Sequence, residues 1–166
     1  GESGSTLRFL LPIVGALGVD GTFRMEGRLP QRPLSPLWEE MERKGCQLSH
    51  PTENTLRCQG KLRSGNYRIR GDVSSQFITG LLLALSRVSG SSTVEVLGTL
   101  ESKPYVDMTI SILEKFGIVI EEDNYQFHET CKKEHTDCLG VKFNVKPQEY
   151  IASDYIVEGD YSSAFQ

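Results

Sequence analysis

Glycine- and hydroxyl-bearing starts to apolar stretches recur along this sequence. Gly4-Ser5-Thr6 stands before Leu7, Leu10, Leu11 and Val14, Gly71-Asp72-Val73-Ser74-Ser75 stands before Phe77, Ile78, Leu81 and Leu85, and Gly159-Asp160-Tyr161-Ser162-Ser163 restates the second. The first turn of a helix carries N–H groups with no intrahelical acceptor and the positive end of the helix dipole. A start made of Gly, Ser and Thr is therefore suited to hold an anion. Arg8, Arg28, Arg32 and Lys103 stand around these starts, and such cations neutralise phosphate or carboxylate, Arg with a bidentate fork. The same residue types have plainer uses: serine ahead of a helix caps it, and a surface cation is solvated. Gln76, an amide just inside an apolar helix start, suits either a ligand contact or an extended cap.

A second group is His128-x-x-Cys131-x-x-x-His135-x-x-Cys138, whose side chains are zinc-capable and whose spacing permits a site. The sequence favours the simpler reading, a hairpin and its loop, and no metal is expected. Cys46 and Cys58 fall on neighbouring strand candidates and are expected to pack as small apolar side chains. No P-loop, dinucleotide fingerprint, nucleophile elbow or H-E-x-x-H is present. Asp72, Asp107 and Asp160 each sit near a helix start, where capping or dipole compensation is the default use of a carboxylate. No general acid or base is assigned.

The elements that must position these groups follow from length and pattern. The chain has 166 residues, 38% hydrophobic and 24% charged, enough for one domain with a real core. Its 18 Lys+Arg against 22 Asp+Glu give a net charge of −4. That balance excludes a broad cationic surface for nucleic acid or anionic lipid, so any polyanion site must be local. The longest apolar runs are far below the roughly 20 residues that cross a bilayer, so no membrane partner is expected. Four cysteines at unrelated spacings suggest a reducing, cytoplasmic setting.

The chain repeats itself. Gly27-Arg28-Leu29-Pro30-Gln31-Arg32-Pro33 follows the strand-like Thr22–Glu26 and precedes a helical stretch from Leu34 to Lys44. Gly98-Thr99-Leu100-Glu101-Ser102-Lys103-Pro104 likewise follows Thr93–Leu97 and precedes Val106–Phe116. In both, a cation precedes a proline placed at the first turn of a helix. Leu34, Leu37, Trp38 and Met41, and Val106, Ile110, Leu113 and Phe116, recur at spacings of three and four. Strand candidates follow at Cys46–Ser49, Thr55–Cys58 and Tyr67–Arg70, then at Ile118–Glu121, Gln126–His128, Val141–Val145 and Tyr155–Val157. The pattern predicts an α/β repeat with units at about 1–70 and 71–158, and 159–166 opening the next. A piece of a longer protein is expected, with self-association through apolar faces that lack their neighbours.

With these motifs in order, Arg28–Pro33, Gly71–Phe77, Glu101–Asp107 and Glu158–Ala164, the chain resembles the 5-enolpyruvylshikimate-3-phosphate synthase (3-phosphoshikimate 1-carboxyvinyltransferase) family over nearly its whole length. Ser74-Ser75-Gln76 with Ser102-Lys103-Pro104-Tyr105 separates it from the related UDP-N-acetylglucosamine enolpyruvyl transferases. The resemblance implies an inside-out α/β barrel domain of three helix–sheet units, two of them present here. It also implies transfer of the enolpyruvyl group of phosphoenolpyruvate to the 5-hydroxyl of shikimate 3-phosphate, in the shikimate pathway to chorismate and aromatic amino acids, with no cofactor. By the same resemblance Ser74, Ser75, Gln76, Ser102 and Tyr105 contact shikimate 3-phosphate. Gly4, Arg32 and Gln76 line the phosphoenolpyruvate pocket, where glyphosate also binds, and Ser5, Arg8 and Lys103 support them. Glu2 and Ser5 stand where the family usually has Asn and Thr. The family's acid–base carboxylates and a substrate-gripping lysine fall outside this stretch, so the chain alone is expected to be inactive, its partners being the small anionic substrates and the remainder of the parent chain.

Overall fold

A computed structural model describes residues 3–124 and 139–157. In chain order the elements are α1 (Gly4–Leu17), β1 (Gly21–Arg24), a 3₁₀ turn (Leu29–Gln31), α2 (Leu37–Arg43), β2 (Cys46–Ser49), β3 (Thr55–Gly60), β4 (Asn66–Arg70), α3 (Ser75–Leu85), β5 (Ser92–Leu97), α4 (Lys103–Lys115), β6 (Ile120–Asn124) and β7 (Leu139–Val145). The strands form two sheets, ordered β1-β3-β2 and β4-β5-β7-β6. The first is antiparallel throughout. In the second, β4 and β5 are parallel across the α3 crossover, while β5–β7 and β6–β7 are antiparallel.

The two units share one plan: a helix, a strand, a second helix, then two strands of which the later one lies in the middle. The strand order corrects one assignment. Tyr67–Arg70, read from sequence as the end of the first unit, is hydrogen-bonded to β5 and belongs to the second sheet. Its parallel partner lies beyond α3, and no local pattern announces such a distant pairing.

Alternation builds the sheets, since β2, β4 and β5 each bury every second residue. Helix α3 is different, with Phe77, Ile78, Thr79, Gly80, Leu81, Leu82, Ala84 and Leu85 all buried. A helix apolar on nearly every side has no solvent face and becomes a core element. Burying Leu81, Leu82 and Leu85 contributes roughly 1.5–3 kcal/mol each. Helix α1 packs on α3 and on β3, and α3 packs in turn on α4 and β5. It ends at Gly18, whose φ of 70° lets its N–H turn back to the carbonyls of Val14 and Gly15.

Helix α2 joins the units. Glu40, only 4% exposed, is paired with Arg43 and accepts the backbone N–H of Arg68 on β4 at 3.2 Å. Cys46 and Cys58 are buried free thiols in the core, as their placement on adjoining strands suggested.

Further expectations need correction. The helix expected from Leu34 begins at Leu37, and Pro33 lies outside any helix, whereas Pro104 does occupy the first turn of α4. Pro33 and Pro36 bracket Leu34 and Ser35, and a residue ahead of proline avoids the helical region. Tyr155–Val157 is no strand: Tyr155 packs on Phe116, and Ile156 and Val157 are 90% and 83% exposed. Its counterpart β4 has β5 beside it, and a strand without a neighbour has nowhere to place its backbone hydrogen bonds. Gln126–His128, the His128/Cys131/His135/Cys138 array, Glu2 and Gly159–Ser163 lie outside the described residues.

Candidate functional site

Helix polarity places the site. The starts of α1, α3 and α4 converge on a cleft of about 640 Å³, whose polar rim is Ser5, Ser74, Ser75, Gln76 and Ser102. Tyr105 flanks this rim, and Phe9, Leu83, Met108 and Ile112 form the apolar floor.

Each start is shaped by its own sequence. Ser3 caps α1 by accepting the Thr6 N–H at 3.2 Å, and Ser74 caps α3 by accepting the Gln76 N–H at 3.2 Å. At α4, Ser102 has φ 57°, an uncommon backbone for a residue with a side chain, and its hydroxyl makes no cap. That conformation is where strain and an uncommitted hydroxyl meet at the rim.

Gln76 ties two starts together. Its Nε2 donates to Ser5 Oγ at 2.6 Å, and its Oε1 accepts from Arg8 Nη1 at 3.0 Å. The Arg8 guanidinium also lies 4.9 Å from the Phe77 ring centre and reaches the Pro33 carbonyl at 3.4 Å. Burial, and after it the positive charge of Arg32, lowers the Arg8 pKa. Arg32 stands over the first turn of α1: a methyl group at Gly4 would come 3.0 Å from its Nη1. The sequence-derived residues therefore gather in two adjoining places. Ser5, Ser74, Ser75, Gln76, Ser102 and Tyr105 line the cleft, and Gly4, Arg8 and Arg32 form a cationic corner behind Ser5 and Gln76.

Lys103 is placed elsewhere. Its Nζ pairs with Asp107 Oδ1 at 2.8 Å and Glu122 Oε1 at 3.0 Å, clamping α4 to β6. The Asp107 hydrogen bond, with help from Glu122, raises its pKa. Arg28 is exposed beside the 3₁₀ turn.

Sequence reading gave no site role to four polar lining residues, Asp72 among them as a capping carboxylate. Asp72 and Glu101 are carboxylates at the cleft. Arg70 forks Asp72 at 3.0 and 2.5 Å, and that pairing holds its carboxyl below the usual range. Thr79 and Thr109 form a buried hydroxyl pair at 3.1 Å joining α3 to α4, and Thr109 also donates to the Tyr105 carbonyl at 3.0 Å. The Gly71-Asp72 pair was the available signal for Asp72. Nothing local marks the threonines, because their pairing spans two helices. Among the described residues no His, Cys, Asp and Glu group could hold a metal ion. No helix there is long and apolar enough to cross a membrane.

Helices packed on one another and on two sheets, with three helix starts gathered on one cleft, match the α/β repeat fold of enolpyruvyl transferases. A solved EPSP synthase from Acinetobacter baumannii matches it with a TM-score of 0.63 at 18% identity, over 91% of this chain and 30% of that one. The family model for EPSP synthase (3-phosphoshikimate 1-carboxyvinyltransferase) matches residues 1–166, and the chain belongs to that family. Two similar relatives are the 3-phosphoshikimate 1-carboxyvinyltransferases of Clostridium kluyveri, 43% identical over 165 residues, and of Clostridioides difficile strain 630, 42% identical over 166. The alignments cover 97% of this chain in both cases, and 35% and 34% of those proteins. The chain thus spans about a third of the length of these relatives.

Proposed function

We propose that this chain forms part of an enzyme that transfers the enolpyruvyl group of phosphoenolpyruvate to the 5-hydroxyl of shikimate 3-phosphate, releasing phosphate, in the cytoplasmic pathway to aromatic amino acids. Ser74, Ser75, Gln76, Ser102 and Tyr105 bind shikimate 3-phosphate. Gly4, Arg32 and Gln76 bind phosphoenolpyruvate, while Ser5 and Arg8 hold Gln76 in place. Lys103 supports the site indirectly, by fixing α4 against β6.

One observation carries this reading: Gln76, which belongs to both substrate sets, bridges the starts of α1 and α3 through Ser5 and Arg8. Both substrates carry several negative charges, and the cleft offers helix N–H groups, hydroxyls and, at its corner, guanidinium groups. None of these residues serves as a proton-transfer group. Asp72 is engaged by Arg70, so the chain's share of the reaction is to bind and orient. Alone it is inactive, and its exposed apolar side chains, Leu10, Tyr105 and Met108 among them, favour self-association.

Calorimetric titration of shikimate 3-phosphate into this chain tests the reading. Binding heat at millimolar ligand, lost in Ser74→Ala/Ser75→Ala, is the expected result. No heat from the folded chain would favour a module that keeps the fold without the ligand.

A further inference from the structure

We propose that Arg8 is a positioning residue that sets the hydrogen-bond polarity of the cleft through Gln76; the proposal rests on the reading of the cleft given above. A side-chain amide has a donor end and an acceptor end of nearly equal size, and only its partners decide which way it points. At Gln76 both ends are committed. Arg8 Nη1, which can only donate, faces Oε1 at 3.0 Å, and Nε2 faces Ser5 Oγ at 2.6 Å. Turning the amide over would set an NH₂ group against a guanidinium, donor against donor, in a half-buried place. The orientation is thereby fixed.

Its consequence lies at the other end of the chain of bonds. Ser5 Oγ accepts from Nε2, which leaves the hydroxyl hydrogen of Ser5 and the second hydrogen of Nε2 to point toward the cleft that both residues line. Every link from Arg8 to Gln76 to Ser5 donates in one direction. A charged donor at the head of such a series polarises the links after it, so the two groups by which this series meets an anion are both donors. Arg8 does not itself line the cleft. The Phe77 ring and the Pro33 carbonyl hold its guanidinium behind Gln76, so it acts on the ligand through the amide.

The test is a double-mutant cycle on kcat/KM for phosphoenolpyruvate, in the full enzyme that contains this chain. Arg8→Met is expected to lower kcat/KM about tenfold when Gln76 is present, and by less than about twofold in the Gln76→Ala background. Equal losses in both backgrounds would overturn the proposal, because a direct charge effect or a general loss of stability acts whether or not Gln76 is there. Arg8→Gln, whose amide can face Gln76 with either a donor or an acceptor and so no longer fixes its orientation, carries the same criterion should Arg8→Met not fold. Gln76→Ala leaving kcat/KM unchanged would remove the reading of the cleft itself, and this proposal with it; that result is distinguishable from additive losses.

Discussion

Gly80 of α3 faces the backbone carbonyl of Arg8 in α1 so closely that a methyl group at Gly80 would overlap the oxygen. Pro12, one turn beyond Arg8, has no N–H to offer that carbonyl, and its ring also abuts Gly80. The proline frees an acceptor, and the glycine lets the neighbouring helix close over it. Gly80→Ala gains about 1 kcal/mol of helix propensity but must push two backbones apart, which costs about 1–3 kcal/mol in a packed core. The backbone atoms cannot swing aside, so the expected outcome is net destabilisation, measured as a lower denaturant midpoint. An unchanged or raised midpoint would mean that α1 and α3 do not pack this closely.

Gly4 presents the opposite case. A methyl group there meets Arg32 Nη1 at 3.0 Å, the far end of a flexible side chain, so the guanidinium and not the backbone gives way. Gly4→Ala is expected to leave the melting temperature within a few degrees of the parent while raising KM for phosphoenolpyruvate. Steady-state kinetics on the intact enzyme check the second part.

Arg32→Ala removes the charge at the same corner. Loss of a charge-assisted contact worth about 1.5–3 kcal/mol should raise the phosphoenolpyruvate requirement by roughly tenfold to a hundredfold. The shikimate 3-phosphate requirement should change much less, since Arg32 does not line the main cleft. Equal effects on both substrates would contradict that division.

Asp72 gives a pH prediction with a definite sign. Its hydrogen bonds from Arg70 lower the carboxyl pKa below the ordinary 3.8. A depressed folded-state value stabilises the fold above the unfolded pKa, and the contribution is lost as pH falls through the folded value. Asp72→Asn should therefore lower stability slightly at pH 7, the pair being exposed, and flatten the loss on acidification below about pH 4, so that variant and parent converge at low pH. Carbon-detected titration of the Asp72 carboxyl checks the direction: a midpoint at or above the ordinary value would refute the pairing.

Much of this was legible before the structure, and what was not has physical reasons. The repeat placed β2, β5 and α4 close to their observed bounds, because alternation and three-four spacing are local signals. Residues of the rim were legible because capping chemistry and ligand chemistry call for the same types. Long-range pairings were not: β4 joining β5, Gln76 reaching Ser5, and Thr79 meeting Thr109 depend on how helices cross. Only half of the Lys103 setting was local: Asp107 is four residues along the same helix, but Glu122 comes from β6. The Ser-Lys-Pro run suggested an anion contact, while the fold brings Asp107 and Glu122 to the Lys103 ammonium. Pro33 and Pro104 look alike in sequence, but only the second is followed by a run free to continue as helix.

Whether the starts of α1, α3 and α4 act together on one anion is tested most directly by following the backbone amide resonances of this chain as shikimate 3-phosphate is added. The amides of Ser5, Ser74, Ser75, Gln76 and Ser102 should shift in concert with one saturation curve. Shifts confined to a single helix start, or gathered instead around Trp38 and His50, which line a separate pocket with Arg32, would contradict a shared cleft.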